Sequence, residues 1–157
     1  MMNTKVESLK KIYLFQKLNQ DELLHIAEKI REVHLPPRNV LYDMGEEAES
    51  MYIVKYGTLQ ISTSTSHGDD VNLITLGEGD HFGELPFFDD EKRSAKVEAK
   101  ENTELYELRY ADLHDMFSKN KEMELKFYKE VTHYYIRRLR KLTHDLAYAR
   151  ELRKRFA

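Results

Sequence analysis

The sequence contains no cysteine and no tryptophan, and it has only three prolines and six glycines among its 157 residues. Without cysteine the chain cannot form disulfides, thiolate metal sites, cysteine nucleophiles or iron–sulfur clusters, which fits a reducing compartment. Apolar runs of signal-peptide length are also missing, and no segment approaches the roughly 20 apolar residues of a membrane span. We therefore expect a soluble cytoplasmic protein that has no membrane partner.

Charge is distributed unevenly along the chain. The formal net charge is −3, but residues 119–157 hold 12 Lys and Arg against 5 Asp and Glu. A basic tail of this kind is typical of a solvated helix end, and no helix-turn-helix follows it, so we expect no direct nucleic-acid binding. The length and the hydrophobic content of 41% suit a single domain over residues 1–157.

Motifs for catalysis and metal binding are absent. The chain has no Gly-X-Ser-X-Gly, no P-loop lysine motif and no dinucleotide fingerprint, and its seven histidines form no i, i+4 pair and no His-X-His pair. His81 near Glu84 is similar to part of a cupin metal site, but the other histidines of such a site are missing. We therefore predict no enzyme activity, no catalytic residue, no metal site and no cofactor, and a cupin-type enzyme is the weakest alternative.

The spacing of apolar residues divides the chain into three zones. Residues 8–32 have helical spacing, with a helix start at Asn19-Gln20-Asp21-Glu22, and form a helical lead-in. Pro36-Pro37 prevents the helix from continuing, and residues 40–108 contain short alternating segments and all six glycines. Strands are predicted at residues 40–42, 51–54, 58–62, 71–75, 96–99 and 103–108. This pattern favours an antiparallel sandwich or barrel.

The third zone, residues 111–157, lacks glycine and proline and predicts two helices with a break near residues 118–120. An apolar seam at alternating steps of three and four runs along the longer helix and consists of Leu125, Tyr128, Thr132, Tyr135, Leu139, Leu142, Leu146 and Ala149. Its first half is expected to pack on the chain's own barrel. Because a helix of about 35 residues measures roughly 50 Å, its distal half needs another surface. We therefore predict a homodimer through the C-terminal helix.

The segment from His81 to Val97 places a glycine–acid turn and one arginine in apolar surroundings. Glu84 can accept a hydrogen bond from a sugar hydroxyl, Arg93 can bind a phosphate with its planar fork, and backbone N–H groups near Gly83 and Ser94 can complete the cradle. The segment therefore predicts a ligand with both hydroxyl and phosphate groups. The alternative is a structural ion pair between Glu84 and Arg93.

Several stretches together resemble the cyclic nucleotide-binding domain family, which includes the sensor domains of the catabolite activator protein, protein kinase A regulatory subunits and nucleotide-gated channels. The stretches that carry the resemblance are residues 14–24, 44–46, 51–54, 57–61, 76–85 and 93–97. Eight residues separate Glu84 from Arg93, as in kinase regulatory subunits, whereas Arg93-Ser94-Ala95 is nearer the bacterial activators. The resemblance implies a mixed α and β fold: an antiparallel β-roll or jelly-roll barrel (residues 40–108) with short N-terminal helices and a long C-terminal helix.

The resemblance also implies roles for individual residues. Glu84 would bind the ribose 2′-hydroxyl, Gly83 would allow close backbone approach, and Arg93 and Ser94 would bind the cyclic phosphate. Leu85, Ala95 and Val97 would line the base and sugar walls. The base would be capped from the C-terminal helix, for which Arg138 and Thr143 are candidates, beside Tyr135, Lys141 and Leu142. Pro86 departs from the family pattern, because kinase-type members use the backbone N–H at this position as a phosphate donor and proline has none.

The resemblance implies a sensor that binds a cyclic mononucleotide and passes the signal through its C-terminal helix to a dimer mate or a protein effector. Cyclic AMP is favoured over cyclic GMP, although Ser94 does not decide the base. The alternative is a degenerate family member that acts as a dimerisation or protein-interaction scaffold without nucleotide binding, and Pro86 is the feature in its favour.

Overall fold

The computed structural model describes residues 1–157, which form helices at both ends of the chain and strands between them. The helices are α1 (Met2–Lys10), α2 (Gln20–Lys29), α3 (Leu85–Asp89), α4 (Tyr110–Lys119) and α5 (Lys121–Phe156), and a 3₁₀ turn lies at Tyr13–Phe15. The strands are β1 (Arg31–Leu35), β2 (Val40–Tyr42), β3 (Ser50–Tyr56), β4 (Leu59–Ser64), β5 (Asp70–Leu76), β6 (His81–Phe82), β7 (Lys96–Ala99) and β8 (Thr103–Arg109). None of the helices combines the length and the apolar composition that crossing a membrane would require.

The eight strands form two antiparallel four-stranded sheets, in the orders β1-β8-β3-β6 and β2-β7-β4-β5. The sheets enclose an apolar cluster of eight buried residues: Leu35, Val54, Leu59, Leu76, Phe82, Val97, Ala99 and Leu105. Side chains alternate between this interior and the outside because successive residues of a strand point to opposite faces. The predicted fold class is confirmed: a mixed α and β chain with an antiparallel β-roll, short N-terminal helices and a long C-terminal helix.

Two strands lie outside the predicted set. The first, β1, occupies Arg31–Leu35, before the range expected for the barrel. Val33 and Leu35 face the interior of the roll and alternate with the exposed Glu32 and His34, but two apolar residues directly after a helix are too short a signal to mark a strand. The second, β6, has only two residues, His81 and Phe82. Both pair with established strands, β1 with β8 and β6 with β3.

A second and larger core joins the helices to the outer face of the first sheet. It contains 22 buried residues drawn from α1, the 3₁₀ turn, α2 and the residues that connect them, and from β3, α3, β8, α4 and the first half of α5. The start of α2 is fixed by a capping box: the Asn19 side chain accepts from the Glu22 backbone N–H, and the Glu22 carboxylate accepts from the Asn19 backbone N–H. The helix start predicted at Asn19-Gln20-Asp21-Glu22 is therefore confirmed.

The long helix α5 packs through a face other than the predicted seam. The residues that it buries are Met123, Phe127, Glu130 and Val131. In the same half of the helix, Leu125 and Tyr128 of the seam are 55% and 40% exposed. The expectation that the first half of the seam covers the barrel is therefore wrong for these residues.

The reason is that the N-terminal helices take up the other face of α5. Phe15 stacks on Phe127 with ring centroids 6.1 Å apart, and the Lys126 ammonium lies 3.1 Å from the carboxylate of Glu22, which is almost fully buried. Beyond this contact every residue from Ile136 to Glu151 is exposed. The seam therefore faces outward along most of its length.

Candidate ligand-binding site

The segment between β6 and β7 begins with a glycine that no other residue can replace without strain. Gly83 has φ +77°, in the left-handed region that side chains disfavour, and a Cβ added there would lie 2.9 Å from Arg93 Nη1 and 3.3 Å from the Tyr42 hydroxyl. The following residue, Glu84, precedes the single-turn helix α3 but makes no side-chain cap. Its carboxylate is therefore available for contacts across the fold.

Arg93 lies at the far end of this segment and points into the protein. Its backbone pairs with the β2–β3 loop, where its N–H donates to Glu46 O and its carbonyl accepts from the Gly45 N–H. Its side chain is 5% exposed. Nη2 donates to Ser50 O at 2.7 Å and Nη1 donates to Gly83 O at 3.0 Å. The start of β3 and the turn after β6 therefore hold the guanidinium in one position.

The guanidinium has neutral partners only. Besides the two carbonyl oxygens, Nη1 donates to the Tyr110 hydroxyl at 3.4 Å, and the Tyr42 ring lies 4.0 Å from Cζ, within cation–π range. Nε is buried and has no hydrogen-bond partner. Arg93 and Glu84 form no ion pair, so the structural ion-pair alternative is wrong, and no carboxylate lies within ion-pair distance of the Arg93 guanidinium.

Aromatic rings surround the guanidinium on the inner side of the roll. Tyr42, Tyr52 and Phe82 pack together, with centroids 5.4–6.3 Å apart. Burial raises the pKa of the Tyr42 hydroxyl, although the Arg93 charge acts in the opposite direction. Burial likewise raises the pKa of Tyr110 to about 12 against the effect of Arg93. Both hydroxyls are therefore neutral at physiological pH and do not compensate the charge of Arg93.

Glu84 faces α5 and is 3% exposed. Its Oε1 accepts a hydrogen bond from the Tyr135 hydroxyl and lies 3.2 Å from His81 Nδ1, but the His81 contact lacks hydrogen-bond alignment. Burial acts to raise the pKa of Glu84, yet the contacts with His81 and Tyr135 outweigh it and hold that pKa below its usual range. Glu84 is therefore a buried carboxylate that is ionised at neutral pH.

The region that carries the glycine, the glutamate and the arginine between two strands of the roll is similar to known proteins. The sequence profile of the cyclic nucleotide-binding domain matches residues 32–120, which is more than half of the chain. The chain belongs to the cyclic nucleotide-binding domain family. The match includes the whole segment from Gly83 to Ser94.

Two similar proteins illustrate the match to this family. The cAMP-activated global transcriptional regulator CRP of Haemophilus influenzae is 34% identical over 89 residues, which cover 56% of this chain and 40% of the relative. A cyclic nucleotide-gated potassium channel of Mesorhizobium japonicum is 32% identical over 110 residues, or 70% of this chain and 29% of the channel. The chain thus spans less than half of either relative.

A solved structure has the same architecture. The N-terminal domain of a transcriptional regulator from Streptomyces coelicolor A3(2) superposes with a TM-score of 0.74 at 25% sequence identity, covering 86% of this chain and 94% of that domain. Because nearly all of the bacterial domain is covered, the likeness includes the helices as well as the roll.

The residues that the family resemblance implies for the site are only partly brought together. Gly83, Glu84 and Arg93 are adjacent, since Arg93 Nη1 donates to Gly83 O. Leu85 is 45% exposed, Ser94 is exposed and Ala95 is half-buried. Their predicted roles in binding the phosphate and the walls of the ligand remain predictions.

The two base-cap candidates lie on the exposed part of α5. The Arg138 guanidinium donates to the Tyr134 hydroxyl at 2.8 Å, one turn beyond the contact of Tyr135 with Glu84. The Thr143 hydroxyl donates to Leu139 O in its own helix. Thr143 follows Tyr135 by eight residues, or about 12 Å of helix, so it lies well beyond the residue of α5 that contacts Glu84.

Sequence reasoning missed several residues of the site. Ser50 and Tyr110 hold Arg93, and Tyr42 stacks on it, but no local pattern marks these positions because each lies far from Arg93 in sequence. His81 is expected to be a solvated or core histidine, and the structure places it in contact with the Glu84 carboxylate. No group of three or more His, Asp or Glu side chains is arranged to hold a metal ion.

Proposed function

We propose that the chain binds a cyclic mononucleotide, with Arg93 at the cyclic phosphate and Glu84 at the ribose 2′-hydroxyl. The observation that carries this proposal is the state of Arg93, a buried guanidinium whose acceptors are all neutral and whose Nε has none. Burial of a charge is costly unless an opposite charge accompanies it. A bound phosphate would supply that charge.

The proposed roles of the remaining site residues depend on the positions of Arg93 and Glu84. Gly83 lets the backbone approach the ligand, Ser94 adds a hydroxyl and an N–H beside Arg93, and Leu85 and Ala95 line the sugar and the base. Arg138 and Thr143 cap the base once α5 has moved. The ligand is the regulator of the protein and not a cofactor for catalysis.

Cyclic AMP is favoured over cyclic GMP. The Haemophilus influenzae relative is cAMP-activated, and the Arg93-Ser94-Ala95 order resembles the bacterial activators. An equilibrium titration by calorimetry with cyclic AMP, cyclic GMP and non-cyclic 5′-AMP tests the choice. We expect cyclic AMP to bind most tightly and 5′-AMP, which lacks the cyclic ester, to bind least. Failure of both cyclic nucleotides to bind at millimolar concentration would overturn the proposed function.

The signal leaves the domain through α5. Its first half is attached to the N-terminal helices, Tyr135 reaches the site, and the distal half exposes Leu139, Leu142 and Leu146 by 66%, 61% and 54%. Each leucine that becomes buried contributes roughly 1.5–3 kcal/mol, so several on each chain can offset the entropy lost on association. We propose that this seam pairs with a second copy, and that a protein effector senses the position of the paired helices.

The scaffold alternative has an observation in its favour. Glu84 already accepts a hydrogen bond from Tyr135, Arg93 is held by two carbonyl oxygens, and Pro86 removes a phosphate donor. A scaffold would form the same dimer but show no heat of binding with either nucleotide. Sedimentation with and without cyclic AMP, run beside the calorimetry, separates the two functions.

A further inference from the structure

We infer that Tyr135 acts as an internal competitor for the site: its hydroxyl occupies the Glu84 carboxylate in the ligand-free protein, and a bound nucleotide displaces it. This inference rests on the proposed function and adds the device that would couple binding to α5. Tyr135 follows Glu84 by 51 residues and is the α5 side chain that hydrogen-bonds to it. Hence the residue that closes the site belongs to the element that would carry the signal.

The contact has the character of a hydroxyl ligand. Tyr135 donates its O–H to Oε1 of Glu84, as the 2′-hydroxyl of a ribose would. Burial and the adjacent carboxylate raise the pKa of Tyr135, so it remains a donor over the physiological range. Glu84 is 3% exposed with Tyr135 in place. A sugar therefore cannot reach the carboxylate until the tyrosine leaves.

Neighbouring contacts show which part of α5 is free to respond. Upstream of Tyr135, Lys126 pairs with Glu22 at 3.1 Å, and Gln16 donates to the buried Glu130 at 2.5 Å. Downstream, from Ile136 to Glu151, every residue is exposed. Tyr135 thus stands at the boundary between an anchored half and a free half. Loss of its hydrogen bond lets the free half change direction while the first half stays anchored.

Tyr134 provides a matched control in the same turn. Its ring packs on His81 with centroids 4.6 Å apart, and its hydroxyl accepts from Arg138 at 2.8 Å, but it makes no hydrogen bond to Glu84. Tyr134→Phe and Tyr135→Phe each delete one hydroxyl from a half-buried ring. Only the second deletes the contact that the inference concerns.

The first experiment is calorimetric titration of the parent, Tyr135→Phe and Tyr134→Phe with cyclic AMP. Removing the competitor should tighten binding by roughly 10- to 150-fold, the effect of one hydrogen bond to a charged group. Tyr134→Phe frees only the Arg138 guanidinium and should change the affinity far less than Tyr135→Phe. Equal affinity of Tyr135→Phe and the parent, or equal tightening by both variants, would overturn the inference and leave the proposed function intact. Absence of binding in all three proteins would overturn both.

The second experiment measures the position of α5 directly. Because the chain has no cysteine, Thr75→Cys in β5 and Ala147→Cys in α5 introduce two exposed labelling sites for spin-label distance measurement. Labelled chains are diluted with unlabelled protein, so that only distances within one chain contribute. Cyclic AMP should shift the distance in the parent, and Tyr135→Phe should show that shift without nucleotide. Unchanged distances in Tyr135→Phe without nucleotide would contradict the release of α5.

Discussion

Replacing Gly83 with alanine tests whether the Arg93 guanidinium packs directly against the backbone at position 83. The alanine incurs about 1–2 kcal/mol for the left-handed conformation, less about 0.4–1 kcal/mol gained by restricting the unfolded chain. Its Cβ would also lie 2.9 Å from Arg93 Nη1. Moving the guanidinium weakens its hydrogen bonds to the Gly83 and Ser50 carbonyls, which adds about 1–3 kcal/mol.

Gly79→Ala is the matched control. Gly79 has φ +88°, close to the +77° of Gly83, but a Cβ there would meet nothing within 4 Å. Both variants are measured by thermal unfolding followed by circular dichroism. The midpoint of Gly83→Ala should lie below that of Gly79→Ala by about 2–12 °C, since 1 kcal/mol corresponds to roughly 2–4 °C in a chain of this size. Equal midpoints would refute the packing of Arg93 against Gly83.

Three further outcomes are expected. Pro86→Ala restores a backbone N–H beside the proposed phosphate and should tighten cyclic AMP binding roughly 10- to 100-fold in calorimetry; unchanged affinity would place the phosphate elsewhere. The lowered pKa of Glu84 contributes stability that is present above the unfolded pKa and lost as the pH falls through the folded pKa. The free energy of urea unfolding, measured from about pH 7 to pH 3, should therefore fall more steeply in the parent than in Glu84→Gln. Parallel curves for the two proteins would contradict the lowered pKa. The double variant Leu142→Asp/Leu146→Asp should sediment as a monomer while the parent sediments as a dimer at tens of micromolar; a monomeric parent would rule out the seam as an interface.

Much of the roll could be predicted from local patterns. A continuous apolar run marks β3, which is covered on one face by the second sheet and on the other by the helices, and apolar alternation marks β4. The helix break near Asn120 is also visible in the sequence, and the structure explains it, since the Asn120 side chain accepts from the Met123 backbone N–H and caps α5. These features depend on residues within a few positions of one another.

Features that depend on distant residues could not be predicted. The buried face of α5 is chosen by contacts with Phe15 and Glu22, more than 100 residues earlier in the chain, so helical periodicity alone identified the wrong stripe. The pairing of Tyr135 with Glu84 has the same origin. At the site, the sequence motif identified Glu84 and Arg93, but their separate partners are set by the fold.

The most direct test of the central claim is a calorimetric titration of cyclic AMP into the parent and into Arg93→Ala. Arg93 is the buried cation that we place at the phosphate, and its loss removes at least one charge-assisted hydrogen bond, worth about 1.5–3 kcal/mol, together with the charge itself. We predict saturable binding to the parent and no measurable binding to a folded Arg93→Ala, with folding verified by circular dichroism. Cyclic AMP binding of equal affinity in both proteins would contradict the assignment of the site.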